Sequence, residues 1–232
     1  MADVIASTAE TTSTAVSSKK STSYERPEQV LHRFELALTN AKNPDVQAAL
    51  SPFKYTAERI DEGLLFLENV KTLTAAQSRE KGEQLDASSV LNSTFSKARD
   101  AFVVTRSIAR QVFRNEPGTY ASLALVGNTK LTISGLSKQA STFYTNLLAN
   151  ETFITEMSYF GYSKETLTEE LKLVQDLMTV NAHHKKELGE AIDATTERDD
   201  AMEALDLWMS KFYTVAKAAL KKSPDLQRSL GM

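Results

Sequence analysis

At 232 residues the chain is long enough for one large domain or two modest ones without covalent staples. Its 27 basic and 30 acidic residues leave a formal charge of -3, which supplies no positive field for nucleic acid and little attraction to anionic lipid. The absence of cysteine excludes disulfides, thiolate metal centres and thiol nucleophiles.

Residues 1–26 are rich in Ser and Thr with few large apolar side chains, and read as an N-terminal arm that buries too little surface to offset its chain entropy. The first residues lack the positive start and apolar centre of a secretory signal, so synthesis is expected to be cytoplasmic. Eight glycines and five prolines, with abundant Ala, Leu, Glu, Lys and Thr, predict an all-α fold. The longest uncharged stretch of the folded part, residues 117–129, is far short of the roughly 20 apolar residues of a membrane span, so none is expected.

The first predicted helix follows Pro27, with Leu31, Phe34, Leu38 and Ala41 recurring at helical steps. Asn43-Pro44 and Ser51-Pro52 interrupt the chain on either side of another short turn of helix. From Tyr55 a stripe runs through Ile60, Leu64, Leu67, Val70 and Thr74. A second stripe of the same spacing runs through Leu167, Leu171, Val174, Leu177 and Asn181.

These two stripes belong to a longer internal match. The block Arg79-Glu-Lys-Gly-Glu-Gln-Leu-Asp-Ala-Ser-Ser89 returns as Lys186-Glu-Leu-Gly-Glu-Ala-Ile-Asp-Ala-Thr-Thr196. Residues 43–125 align with 150–232 without a gap, with 18 identities in 83 positions. Composition alone would give about 5, so the chain reads as a tandem duplication with repeats over 27–127 and 128–232.

Within the block, Gly82 and Gly189 are predicted to end helices in left-handed conformation, and Asp86 and Asp193 to cap the next ones. The block is then a hairpin tip carrying Glu80, Glu83, Glu187 and Glu190. The returning helices would carry Phe95, Ala98, Phe102, Ile108 and Val112, matched by Met202, Leu205, Met209, Val215 and Ala219. Two tandem helical hairpins would thus pack as a four-helix-bundle-like core, flanked by shorter helices. A single continuous rod is the competing geometry, since one glycine costs only about 1 kcal/mol in a helix. The stripe through Leu188, Ile192 and Thr195 argues for the hairpin, because it leads to Asp199 rather than Met202.

Candidate chemistry is sparse. His183 and His184 lie four and three residues before Glu187, with Glu190 one turn further on, a spacing a metal could use on one helix face. The first copy carries Ala76 and Gln77 in place of the histidines, so no paired metal centre is expected, and the favoured reading is a solvated face. No catalytic or cofactor fingerprint occurs, so neither catalytic residues nor a cofactor are assigned. Trp208, Met209, Phe212 and Tyr213, with Phe102, Val103 and Val104 in the matching region, exceed what one helix face needs and are candidate interface residues. The competing reading, favoured for Trp208, places Trp208 and Phe212 in the bundle core with Tyr213 at its rim. The expectation is a non-catalytic structural or protein-interaction subunit that forms homo-oligomers or joins an assembly partner, with neither nucleic acid nor membrane as partner. The alternative is a helical bundle binding a metal or small ligand near His183, His184 and Glu187.

Overall fold

The computed structural model describes residues 26–232, so the expected N-terminal arm, apart from Arg26, lies outside the described residues. Eight α-helices follow one another: α1 (Pro27–Ala41), α2 (Pro44–Leu50), α3 (Ala57–Val112), α4 (Pro117–Ser122), α5 (Ile133–Leu148), α6 (Glu151–Ser158), α7 (Lys164–Ala219) and α8 (Pro224–Ser229). No strand forms among the described residues, and the fold is all-α as composition suggested. The stretch 123–132, whose sequence could imitate a β-hairpin, is a linker.

Local chemistry sets these boundaries twice over. Asn43 and Asn150 each cap a short helix, their Oδ1 atoms accepting from the Asp45 and Thr152 amides at 3.0 and 2.9 Å. The chain then turns through a left-handed residue, Lys54 (φ 64°) in one half and Gly161 (φ 85°) in the other, before each long helix begins. Ala124 (φ 51°) and Gly231 (φ 73°) form a second such pair beyond α4 and α8. The bounds of α3 and α7, and those of α4 and α8, lie at the same 107-residue offset as the sequence match.

α1 and α5 extend the correspondence beyond what the sequence alignment reached. At an offset of 106 residues, Phe34, Ala37, Leu38 and Ala41 fall on Ala140, Phe143, Tyr144 and Leu147, all buried. Asn40 and Asn146, at the same offset, donate to the carbonyls of Ser229 and Ser122, both at 2.6 Å. One residue inserted between Asn146 and Asn150 hides this relation from an ungapped comparison.

The hairpin expectation is corrected. α3 and α7 are each one uninterrupted helix of 56 residues, about 84 Å long at 1.5 Å per residue. Gly82 and Gly189 lie in mid-helix, and Asp86 and Asp193 cap nothing. Strong helix formers surround each glycine, and i,i+4 ion pairs step across it: Arg79–Glu83 at 3.9 Å and Lys186–Glu190 at 2.7 Å. The slip in the apolar pattern came from tracing the wrong residues. Leu188 and Ile192 are exposed, whereas the inward stripe runs through His184, Glu187, Ala191, Ala194, Arg198 and Met202 to Leu205 in unbroken 3- and 4-residue steps.

α3 and α7 pack antiparallel along their length. Contacts show the direction: Trp208 lies over Gly63, Ser88 bonds to His184, and Thr105 bonds to Glu170. Two separate cores result, one at each end of the rod pair. The first joins α1, α2 and the start of α3 to the end of α7 and Leu230. The second joins α5, Met157 of α6 and the start of α7 to the end of α3 with Leu123 and Leu125. The expected hairpin bundle is therefore replaced by two cores that each draw on both halves, and the sequence division at 127 is not a division between cores. No helix among the described residues is long and apolar enough to cross a membrane.

Candidate functional site at the waist of the rod pair

Between the two cores the seam of α3 and α7 turns polar. From Val70 the inward stripe of α3 passes through Thr74, Gln77, Glu80, Gln84 and Ala87 before Leu91 restores an apolar side chain. Its counterpart in α7 passes from Leu177 through Asn181, His184, Glu187, Ala191 and Ala194 to Arg198. The seam spacing continues, but its chemistry changes from hydrophobic packing to hydrogen bonds and ion pairs.

The repeated block lies at this waist and supplies two equivalent ionic clusters. Arg79 donates from Nη2 to Glu80 at 2.7 Å and approaches Glu83. Lys186, its counterpart, donates to Glu190 at 2.7 Å and lies 3.5 Å from Glu187. The hydrogen bond to Glu80 holds Arg79 more firmly protonated, and that to Glu190 does the same for Lys186. Both cations are exposed, so these pairs contribute little to stability. Glu187 differs: it is only 5 % exposed, with His183 Nε2 at 3.4 Å.

The sequence grouped His183, His184, Glu187 and Glu190, and the structure divides them. His183 stays on the Glu187 side, whereas His184 Nε2 reaches across the seam to Ser88 Oγ at 3.0 Å. Instead Glu80 joins Glu187 and Glu190, their carboxylate oxygens lying within 4.8 Å of one another. Three close carboxylates suit a hard cation, but here Arg79 already pairs with Glu80, and Lys186 with Glu187 and Glu190. Glu83 and Asp86 face Thr179, Val180 and His183 across an open groove of about 550 Å³, with exposed Val90 on its rim. Asp193 is exposed.

The aromatic interface candidates are corrected in part. Phe102, Trp208, Met209 and Phe212 are core residues, with Trp208 stacked on Phe212 at 5.6 Å between ring centroids. Tyr213 is half-buried against Phe34, and only Val103 and Val104 face solvent. The aromatic excess is absorbed because α7 packs against α1 and α2 as well as α3, which gives its C-terminal half more than one buried face.

Sequence reasoning missed two polar clusters away from the waist. Glu170 accepts from Thr105 Oγ1 at 2.7 Å and from the Tyr144 hydroxyl at 2.9 Å, while burial raises its pKa. Arg106 is buried, and its Nη2 donates to the carbonyls of Leu125 and Gly127, both at 3.0 Å. Burial, and then the neighbouring Arg110 cation, lower its pKa. A polar residue in an apolar stripe was the available signal for Thr105. Nothing in the spacing identifies the partners, which come from α5, α7 and the 123–129 linker.

No family model matches this sequence, and neither a curated protein nor a solved structure matches it.

Proposed function

We propose that this chain is a non-catalytic structural or protein-interaction subunit that binds further copies of itself. One observation carries the reading: Phe53 and Phe160, identical residues at corresponding positions of the two halves, are both exposed, at 51 % and 57 %. Each follows a short helix and directly precedes the left-handed residue that leads into a long rod. A chain that offers the same apolar contact twice can join two neighbours, closing a small ring or extending an open array. Leu85 and Ile192, a second corresponding pair, are likewise exposed at the waist. The coincident helix bounds and left-handed positions support descent from one unit copied in tandem.

Light scattering after size exclusion tests this directly. The wild-type chain is expected to run as an oligomer whose mass falls in Phe53→Ser/Phe160→Ser. A wild-type chain that stays strictly monomeric at high concentration contradicts the proposal.

The second reading, a metal-binding bundle, draws support only from the proximity of Glu80, Glu187 and Glu190. Elemental analysis of the purified protein and of Glu187→Gln tests it: a stoichiometric divalent ion lost in the variant supports it, and no bound ion in either removes its motive.

A further inference from the structure

The last turns of α3 and the turn that follows it carry three arginines four residues apart, Arg106, Arg110 and Arg114, and no carboxylate pairs with any of them among the described residues. Their surroundings form an open cleft of about 610 Å³ between the end of α3, α4 and the linker beyond it. Arg110, Gln111, Arg114 and Ser107 supply its polar side, and Tyr120, Pro117 and Val126 its apolar side.

Two of these positions are fixed from behind. The Arg110 Nε donates to the Tyr120 hydroxyl at 2.7 Å, and its guanidinium lies over the Tyr120 ring at 5.9 Å from the centroid. Neither Nη group of Arg110 has a hydrogen-bond partner among the described residues. Buried Arg106 grips the carbonyls of Leu125 and Gly127, which hold Val126 as the cleft wall. Arg114 is exposed and has no ion-pair partner among the described residues.

A helix C-terminus favours cations near its free carbonyls, and that explains why basic residues occur here. It does not explain a restrained guanidinium beside a second one in a cleft with one apolar wall. The positions corresponding to Arg110 and Arg114 hold Lys217 and Lys221, which keep the charge but lack the planar fork that binds an oxyanion through two parallel hydrogen bonds, and Gln227 stands in place of Tyr120.

From this arrangement we infer that the cleft binds a phosphate group carried on a small apolar body, the phosphate held by Arg110 and Arg114 and the body lying against Tyr120 and Val126. The site is separate from the proposed self-association surface. A soluble organic phosphate and a phospholipid headgroup share this chemistry, so the test uses both.

Calorimetric titration with phenyl phosphate at constant ionic strength is paired with sedimentation on phosphatidic acid/phosphatidylcholine vesicles. The expected result is saturable binding to at least one probe, weakened at least tenfold in Arg110→Gln/Arg114→Gln and unchanged in Lys217→Gln/Lys221→Gln. Binding to the soluble probe identifies a free organic phosphate as ligand class, and binding confined to vesicles identifies a headgroup. The charge-preserving Arg110→Lys/Arg114→Lys pair should also bind more weakly, which separates fork geometry from net charge. Melting curves without ligand confirm that each variant is folded. Absence of saturable binding to either probe overturns the inference, as does equal loss in the arginine and lysine variants.

Discussion

Replacing Gly82 and Gly189 with alanine separates a continuous rod from a hairpin by the sign of the effect. In the rod, each glycine is an interior helical position, and a Cβ added at either meets no atom within 4 Å. Alanine is favoured over glycine there by about 0.8–1 kcal/mol, because it restricts the unfolded chain without straining the folded one. The double variant Gly82→Ala/Gly189→Ala should therefore gain up to about 2 kcal/mol, a rise of roughly 4–8 °C in Tm for a chain of this size. Were either glycine in left-handed conformation at a helix end, alanine would be strained and the sign would reverse. Urea denaturation followed by circular dichroism measures the change directly. A loss of 1 kcal/mol or more in the double variant refutes the reasoning.

Other sites give equally definite expectations. Gly63→Ala should destabilise by about 1–2 kcal/mol in the same assay, since its Cβ would lie 2.6 Å from Trp208 Cη2 and 2.9 Å from Leu38 Cδ2, and overpacking outweighs the gain in helix propensity. A stabilised Gly63→Ala would contradict the close approach of α3 and α7. Glu170 carries a raised pKa in the folded chain, so its contribution is fully present below the ordinary glutamate range and declines as pH rises through the raised value. Denaturation from pH 4 to 7 should therefore show wild type losing stability relative to Glu170→Gln as pH increases. Parallel curves across that range would refute it.

The halves are not interchangeable in detail, and their differences compensate one another. Gly63, Leu38 and Trp208 in the first core correspond to Glu170, Tyr144 and Ala101 in the second. A glycine makes room for the indole in one, and a carboxylate bonds the tyrosine hydroxyl in the other. Such exchanges explain why α1 and α5 share buried positions while sharing few residues. They also make the relation between those helices invisible to identity counting.

What was legible in the sequence was periodicity. Phe34, Leu38, Ile60, Leu67, Val70, Leu167, Val174 and Leu177 are all buried, as their helical spacing predicted, although they divide between two cores. What was not legible was the fate of the polar waist. A stripe that turns polar through Thr74, Gln77 and Glu80 reads as the last turns of a helix, yet intrahelical ion pairs and a partner stripe of the same chemistry carry the helix on. Hydropathy carries no record of the second rod that pairs with it. The same blindness left Trp208 and Phe212 open between core and interface, because the sequence does not show that α1 and α2 return to cover them. Spacing grouped Glu187 and Glu190 on one helix, but which other residues meet them depended on the crossing of α3 and α7, and that brought Glu80 in and turned His184 away.

The central claim is that each long helix runs unbroken through the repeated block, and a spin-label distance tests it most directly. The chain has no cysteine, so Glu68→Cys/Lys97→Cys, both at exposed positions of α3, can be labelled without background. Electron–electron double resonance should then give a narrow distribution near 44 Å, the span of that interval along a continuous helix. A distance below about 20 Å, as two helices folded back at residues 82–86 would give, contradicts the account.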